Sequence, residues 1–340
     1  MKLLISFANF KGSLTNEEAC ALAKAALERL GHEARALPLG DGGKGTFSFL
    51  KTDSTAQEKT HSITGAFNDP REVRSWWKKT PQNTWQIFLE STEAIGYPPS
   101  DPERRDPLGA TSRCLGEWLL QMKNDLADAP CELFIGLGDS AISDAGKGML
   151  DVLGTESFSN WKITVLCDVD NPLCGERGAA RVFSPQKGAS ANEVIQIEQN
   201  HLRFAHEIKI RFGKDVTNMP RGGSAGGLAT ALHVFLNAEL VSGSQFVLSA
   251  SNFEDVLKDC DVLLVGEGKT DIQTLSGKAP WEALKVAEKL KKKSILISGS
   301  FGEGIEQVSY PGLVAKTACG REPDAKTALT RAIEVALNSL

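Results

Sequence analysis

Short uninterrupted apolar runs alternate along the chain with longer stretches in which apolar residues recur every three or four positions, the pattern of buried strands interleaved with amphipathic helices. Leu3 to Phe7 predicts a buried strand. Thr15 with Glu18 predicts a capping box for a helix whose apolar face is Ala19, Leu22, Ala23, Ala26, Leu27 and Leu30, stopped at Gly31. A second strand, Ala34 to Leu39, follows, and this order begins a doubly wound sheet. Thr60 to Thr84, with Trp76, Trp77 and several Pro or Asn breaks, reads as a small antiparallel excursion. Ile87–Leu89, Leu133–Ile135, Ile163–Leu166, Asp261–Val265, Ile295–Ile297 and Leu313–Lys316 predict further strands. Helices are predicted from Arg113 through Met122, from Ala191 to Arg211, from Pro280 along Ala283, Val286, Ala287 and Leu290, and from Asp324 to the end. The 340 residues exceed one ordinary core, so two α/β domains are expected. Residues 1–60 with 255–340 are read as a Rossmann-like, doubly wound and mostly parallel domain, and 61–254 as an inserted second domain.

The polar residues concentrate where predicted strands end, the place where open α/β sheets keep their ligands. Gly40-Asp41-Gly42-Gly43-Lys44-Gly45-Thr46 sets four glycines ahead of a predicted helix, Phe47 to Lys51, so backbone amides can approach an anion. Gly136 to Gly146 is a second such end. Cys167-Asp168-Val169-Asp170-Asn171-Pro172 is a third, followed at once by Arg177, Arg181 and Pro185-Gln186-Lys187-Gly188. The fourth is Gly266-Glu267-Gly268-Lys269-Thr270-Asp271-Ile272-Gln273-Thr274, read as a loop between strand and helix, as is the glycine turn Gly299 to Gly302. Carboxylates there suit a metal ion and cations suit phosphate or carboxylate, while turn chemistry alone explains many of the same residue types. Thr111 and Ser112 have a plain structural role as helix caps.

The 38 basic and 43 acidic residues leave a net charge of −5, and the sole basic block, Lys291-Lys292-Lys293, reads as the end of a helix. That balance disfavours a nucleic-acid partner. Seven scattered cysteines predict reduced thiols rather than a disulfide framework or a zinc site. No leader and no apolar run of bilayer length is visible, so a cytoplasmic protein without membrane attachment is expected; a homodimer stays open.

Taken in order, Phe10-Lys11-Gly12-Ser13-Leu14, Asp41-Gly42-Gly43, Thr111-Ser112-Arg113, Cys167 to Gly175, Pro185 to Ala189, Gly222 to Leu228 and Gly266-Glu267-Gly268 with Asp271-x-Gln273-Thr274-Leu275 resemble the bacterial glycerate kinase family. The resemblance implies a two-domain α/β kinase with its active site in the cleft between the domains, moving the γ-phosphoryl of ATP, with Mg²⁺, onto a hydroxyl of D-glycerate to give 2-phosphoglycerate. Phosphoryl transfer asks for positioning, charge neutralisation and a base for the attacking hydroxyl. The residues that fit are Lys11, Asp168 and Asp271 as catalytic groups, with Glu267 and Asp271 as metal ligands. Ser13, Asp41, Gly42, Gly43, Arg113, Ser140, Asn171, Lys187, Gly266, Gly268 and Gln273 fit as substrate or nucleotide contacts.

The chain departs from the family pattern at Ala8-Asn9, where the family reads Asp-Ser, at Gly40 and Lys44, where it reads Ala and Glu, and at Asp139, where it reads Gly. These changes motivate an alternative from a different class, a catalytically impaired relative that binds a small acid or a nucleotide. A hydroxy-acid dehydrogenase is disfavoured by the missing dinucleotide fingerprint.

Overall fold

The computed structural model describes residues 1–127, 129–167, 169–320 and 324–338. In chain order the strands are β1 (Lys2–Phe7), β2 (Glu33–Ala36), β3 (Gln57–Thr64), β4 (Pro70–Lys79), β5 (Trp85–Glu90), β6 (Cys131–Gly136), β7 (Trp161–Cys167), β8 (Glu239–Ser242), β9 (Val262–Thr270), β10 (Lys293–Phe301) and β11 (Leu313–Ala318). The helices are α1 (Asn16–Arg29), α2 (Thr92–Ile95), α3 (Arg113–Leu126), α4 (Lys147–Leu153), α5 (Ala179–Phe183), α6 (Ala191–Phe212), α7 (Leu228–Phe235), α8 (Gly243–Ala250), α9 (Phe253–Lys258), α10 (Ala279–Lys289) and α11 (Ala325–Leu337). The chain forms two compact units, one of Met1–Asp41, Gly45–Phe49 and Ser242–Leu340, the other of Gly42–Lys44 and Leu50–Val241.

The first unit holds a five-stranded sheet in the order β11-β10-β9-β1-β2, parallel throughout. Successive residues of its strands face opposite sides, so Leu3, Ile5, Phe7, Leu264 and Ile297 pack under α1 and α11, while Leu4, Leu263, Val265 and Leu296 pack under α9 and α10. Helices on both faces make it doubly wound, and the chain reverses its direction of winding at β1 and β9. α1 starts where the sequence says, with Thr15 accepting from the Glu18 amide and the Glu18 carboxylate accepting from the Thr15 amide. Asp324 caps α11 by accepting from the Lys326 and Thr327 amides.

Two stretches of this unit depart from the sequence reading. β9 runs through Gly266-Glu267-Gly268-Lys269-Thr270, and β10 through Gly299 and Phe301, so residues read as loops are strand. The glycines serve interstrand contact: a Cβ on Gly266 would stand 1.9 Å from the Ile297 carbonyl oxygen, and one on Gly299 2.4 Å from that of Gly268. The Lys291–Lys293 block does not close a helix either. α10 ends at Lys289, Lys291 takes a left-handed conformation, and Lys292 donates to the carbonyls of Lys258 and Cys260.

The second unit holds the sheet β3-β4-β5-β6-β7-β8, with β3, β4 and β5 antiparallel and β5, β6 and β7 parallel. One continuous core runs through Trp77, Ile87, Leu115, Trp118, Leu133, Val165 and Phe204. Arg71 is drawn inside to meet the carbonyls of Glu93, Ala94 and Gly96, which fixes α2 against the sheet. The segment read as the helix Phe47–Lys51 is instead a 3₁₀ turn, Ser48–Thr52. The small-residue stretch 224–227 is likewise a 3₁₀ turn, with Ala225 and Gly226 left-handed, leading into α7. Among the described residues no helix is long and apolar enough to cross a membrane, and the cysteines are free.

Candidate functional site

In the first unit the parallel strands deliver their carboxyl ends together at β1 and β9, where a doubly wound sheet opens its crevice. The turn after β1 presents Lys11 and Ser13 to solvent, and the Ser13 hydroxyl donates to the Phe10 carbonyl at 2.9 Å. Beside this turn stands Gly268: a Cβ there would lie 3.0 Å from the Lys11 amide nitrogen. The Gly268 amide donates to the Asn9 carbonyl at 3.4 Å, so the glycine is explained by the close pass of two backbones before any ligand is considered. Asn16 is a residue that sequence reasoning missed. Its buried amide group donates to the carbonyls of Leu39 at 2.8 Å and Gly45 at 3.1 Å, holding the two ends of the glycine-rich stretch that carries Asp41.

Glu267 is buried on β9, and its Oε1 accepts from the hydroxyls of Thr274 at 2.7 Å and Thr270 at 3.2 Å. Its Oε2 lies 3.7 Å from the Lys278 ammonium. Burial pushes this carboxyl above the ordinary range, with Lys278 and the two hydroxyls opposing. Asp271 pairs with Lys269 at 3.1 Å, and its amide donates to the Thr274 hydroxyl. Gln273 lies in the 3₁₀ turn Ile272–Ser276. Among the described residues no group of three or more His, Cys, Asp or Glu side chains could hold a metal ion. Glu267, buried and with two hydroxyls already on one oxygen, does not fit a metal-ligand role as arranged. Asp271 fits as a single carboxylate for an ion that arrives on phosphate oxygens, the usual habit of Mg²⁺.

In the second unit the parallel strands β5, β6 and β7 also bring their carboxyl ends side by side. Gly42 and Gly43 insert here: the Gly42 carbonyl accepts from the Gly138 amide at 2.8 Å, and a Cβ on Gly42 would stand 2.7 Å from the Leu166 carbonyl oxygen. Gly42 has φ of 105°, a conformation suited to glycine. At two positions that depart from the family pattern, the Lys44 backbone amide donates to Asp139 Oδ2 at 3.3 Å, and Asp139 takes φ of 56°.

Lys187 is the group on which this arrangement turns. The 3₁₀ turn Pro185–Lys187 carries its side chain inward until 5% of the residue is exposed, and its ammonium donates to the Ile142 carbonyl and, at 3.2 Å, to the Ser140 hydroxyl. Among the described residues no carboxylate forms an ion pair with it. Burial pulls its pKa down to about 8, and the more distant charge of Asp144 acts in the opposite direction. A buried ammonium with that environment is suited to an anionic oxygen. The predicted contact Ser140 is thus brought to Lys187. Asn171 donates to the Arg177 carbonyl at 2.8 Å and its own carbonyl accepts from Gly223, so it shapes the loop after β7. An open concavity of about 820 Å³ beside that loop is lined by Asp170, Arg177, Asn218 and Arg221. Asp168 lies outside the described residues.

Arg113 is exposed at the start of α3. Ser112 makes no side-chain cap there; its hydroxyl and its amide both donate to Asp144 Oδ2 at 2.8 Å, and its hydroxyl oxygen accepts from the Met149 amide at 2.9 Å at the start of α4 instead of from α3. Asp144 and His201 were not singled out from the sequence. His201 on α6 bonds through Nε2 to the Ser143 carbonyl at 3.0 Å, and burial holds its pKa below the ordinary value. Glu198, one turn earlier, accepts from the Gly175 amide at 2.7 Å.

The comparisons with known proteins agree with one another. The model of the glycerate kinase family matches residues 3–160 and 155–340. The glycerate 2-kinase of Escherichia coli (strain K12) is 32% identical over 346 residues, covering 93% of this chain and 89% of that protein. The glycerate kinase of Bacillus subtilis (strain 168) is 32% identical over 347 residues, covering 93% and 89%. A solved structure from Salmonella typhimurium LT2, designated glycerate kinase 2, superposes with a TM-score of 0.74 at 29% identity, covering 99% of this chain and 96% of that one.

Proposed function

The chain belongs to the glycerate kinase family, and from that premise we propose that it phosphorylates D-glycerate with ATP and Mg²⁺, giving 2-phosphoglycerate. A kinase of this family takes ATP as co-substrate; the acceptor hydroxyl and the retention of activity are the parts of the reading that go further. The observation that carries them is Lys187: a buried ammonium, without an ion pair among the described residues, at the carboxyl ends of parallel strands. It binds an anionic oxygen, the carboxylate of glycerate or a phosphate, and neutralises charge that the loose transition state spreads over the phosphoryl oxygens. Keeping an unpaired charge inside a protein opposes folding, so its presence points to a ligand.

The other residues take roles of orientation. Ser140 and the Ile142 carbonyl hold the Lys187 ammonium in one direction. Lys11 and Arg113, both exposed at strand-end turns, are further cations for phosphate. Asp271 accepts the proton of the attacking hydroxyl or meets the ion carried by the nucleotide, which supplies charge neutralisation when bound. Glu267 orders Thr270 and Thr274 beside it. The Asp139 carboxylate accepts from the Lys44 backbone amide, so the acid at that departure has a partner within its own unit.

The test is calorimetric titration of ATP–Mg²⁺ and of D-glycerate, paired with ADP release on a panel of D-glycerate, L-glycerate and related sugar acids. The proposal expects both binding and turnover, with D-glycerate preferred. Binding of either ligand without ADP release from any acid would replace it with the impaired-relative reading.

A further inference from the structure

The loop after β6 is pinned by three elements at three consecutive residues. The Ile142 carbonyl accepts from Lys187, the Ser143 carbonyl bonds to His201 on α6, and the Asp144 carboxylate accepts from the start of α3. Asp144 does more than close its own turn. Its Oδ1 accepts from the Gly146 amide at 3.1 Å, which an ordinary Asx turn would need. Its Oδ2 accepts from the Ser112 amide and hydroxyl at 2.8 Å each, the Gly148 amide at 3.2 Å and the Thr111 hydroxyl at 3.3 Å. The packing leaves little slack around this set. A Cβ on Gly148 would stand 2.1 Å from the Thr111 hydroxyl, and one on Gly226 2.2 Å from the Ile142 carbonyl oxygen.

The geometry points to Asp144 as the positioning residue of this site: it fixes the loop whose Ile142 carbonyl and Ser140 hydroxyl aim the Lys187 ammonium. The inference rests on the reading of Lys187 as the anion-binding cation. Burial alone favours a neutral lysine, and Asp144 is the negative charge that opposes it. Among the described residues, charged or titratable groups nearby include His201, itself held down by burial, Glu198 one turn before it on α6, and Arg105, whose side chain a Cβ on Gly188 would touch. His201 and Arg105 offer no negative charge to replace Asp144, and the charge of Glu198 acts on His201 beside it rather than on Lys187.

The experiment is the pH profile of kcat/KM for glycerate, at saturating ATP–Mg²⁺, in the wild type, Asp144→Asn, Asp144→Glu and Lys187→Met. In Asp144→Asn the alkaline limb moves to lower pH and KM rises more than kcat falls, because Lys187 loses its proton sooner and is aimed less well. Asp144→Glu keeps the charge on an altered frame, so its limb stays near the wild-type position while kcat/KM drops about tenfold. If Asp144→Asn is recovered unfolded, Asp144→Glu carries the test alone, and wild-type kinetics in it overturn the proposal. A limb that stays put in Asp144→Asn, alongside a Lys187→Met variant that has lost activity, overturns the role of Asp144 and leaves that of Lys187 standing. Full activity in Lys187→Met overturns the underlying reading instead.

Discussion

Replacing Lys187 by Met separates its ligand-binding role from its place in the core. The side chain is buried with a pKa near 8 against an ordinary 10.5. Each pH unit between the two values is worth ~1.4 kcal/mol, so holding the charged form inside opposes folding by about 3 kcal/mol at pH 7. Met removes that opposition and fills similar volume with a flexible apolar chain. It also strands the buried Ile142 carbonyl, a loss of about 1–3 kcal/mol. At pH 7 the two effects roughly cancel, and the variant is about as stable as the wild type. The balance changes with pH in a fixed direction. Because the native pKa is lowered, the native state sheds its proton above about pH 8 while the unfolded chain keeps it up to about 10.5. Wild-type stability therefore rises relative to the variant across that window. At pH 10 Lys187→Met should be the less stable by about 2–3 kcal/mol. Urea unfolding followed by tryptophan fluorescence suits the measurement, since Trp76, Trp77, Trp85, Trp118 and Trp161 belong to the unit that contains Lys187 and Trp281 to the other. A difference between variant and wild type that is the same at pH 7 and pH 10 would refute a buried, depressed lysine. At pH 7 the same variant should lose about 10²-fold or more in kcat/KM, the loss expected when a charge-assisted contact to the transferred group disappears.

Two further outcomes follow from the strand ends. Asp271→Asn should leave urea unfolding nearly unchanged, because an ion pair with the exposed Lys269 contributes little, and should lower kcat or weaken the Mg²⁺ dependence by about 10²-fold or more; unchanged kinetics remove it from the site. Gly42→Ala should destabilise the second unit by about 1–3 kcal/mol, because φ is 105° and the added Cβ would press on the Leu166 carbonyl oxygen at 2.7 Å; an unfolding midpoint equal to the wild type's would contradict the close approach.

Much of the architecture was legible because local rules and tertiary demands agree in it. The Thr15–Glu18 capping box, the cap of α11 at Asp324 and the start of α6 at Ala191 are each set by a few adjacent residues, and each forms as read. The ends of β9 and β10 were misread because glycine signals both a turn and a close backbone pass. At Gly266, Gly268 and Gly299 it is the neighbouring chain that requires glycine, which one sequence window does not reveal. Lys187 and Ser140 were identified from residue type, yet their contact and the burial that makes Lys187 unusual arise from 47 residues of separation. Asp144, 32 residues from Ser112, and His201, 58 residues from Ser143, carry no local pattern that distinguishes them from an ordinary turn acid or a helix histidine. For the same reason Thr111 and Ser112 read as caps: only the fold brings the Asp144 carboxylate and the Met149 amide to Ser112.

The most direct test of the account is the identity of the product. Purified protein with ATP, Mg²⁺ and D-glycerate, followed by ³¹P and ¹H NMR, should show ADP and 2-phosphoglycerate accumulating in equal amounts, with Lys187→Met folded and nearly silent under the same conditions. ATP that stays intact beside D-glycerate, or a phosphoryl group delivered equally well by Lys187→Met, would contradict the account.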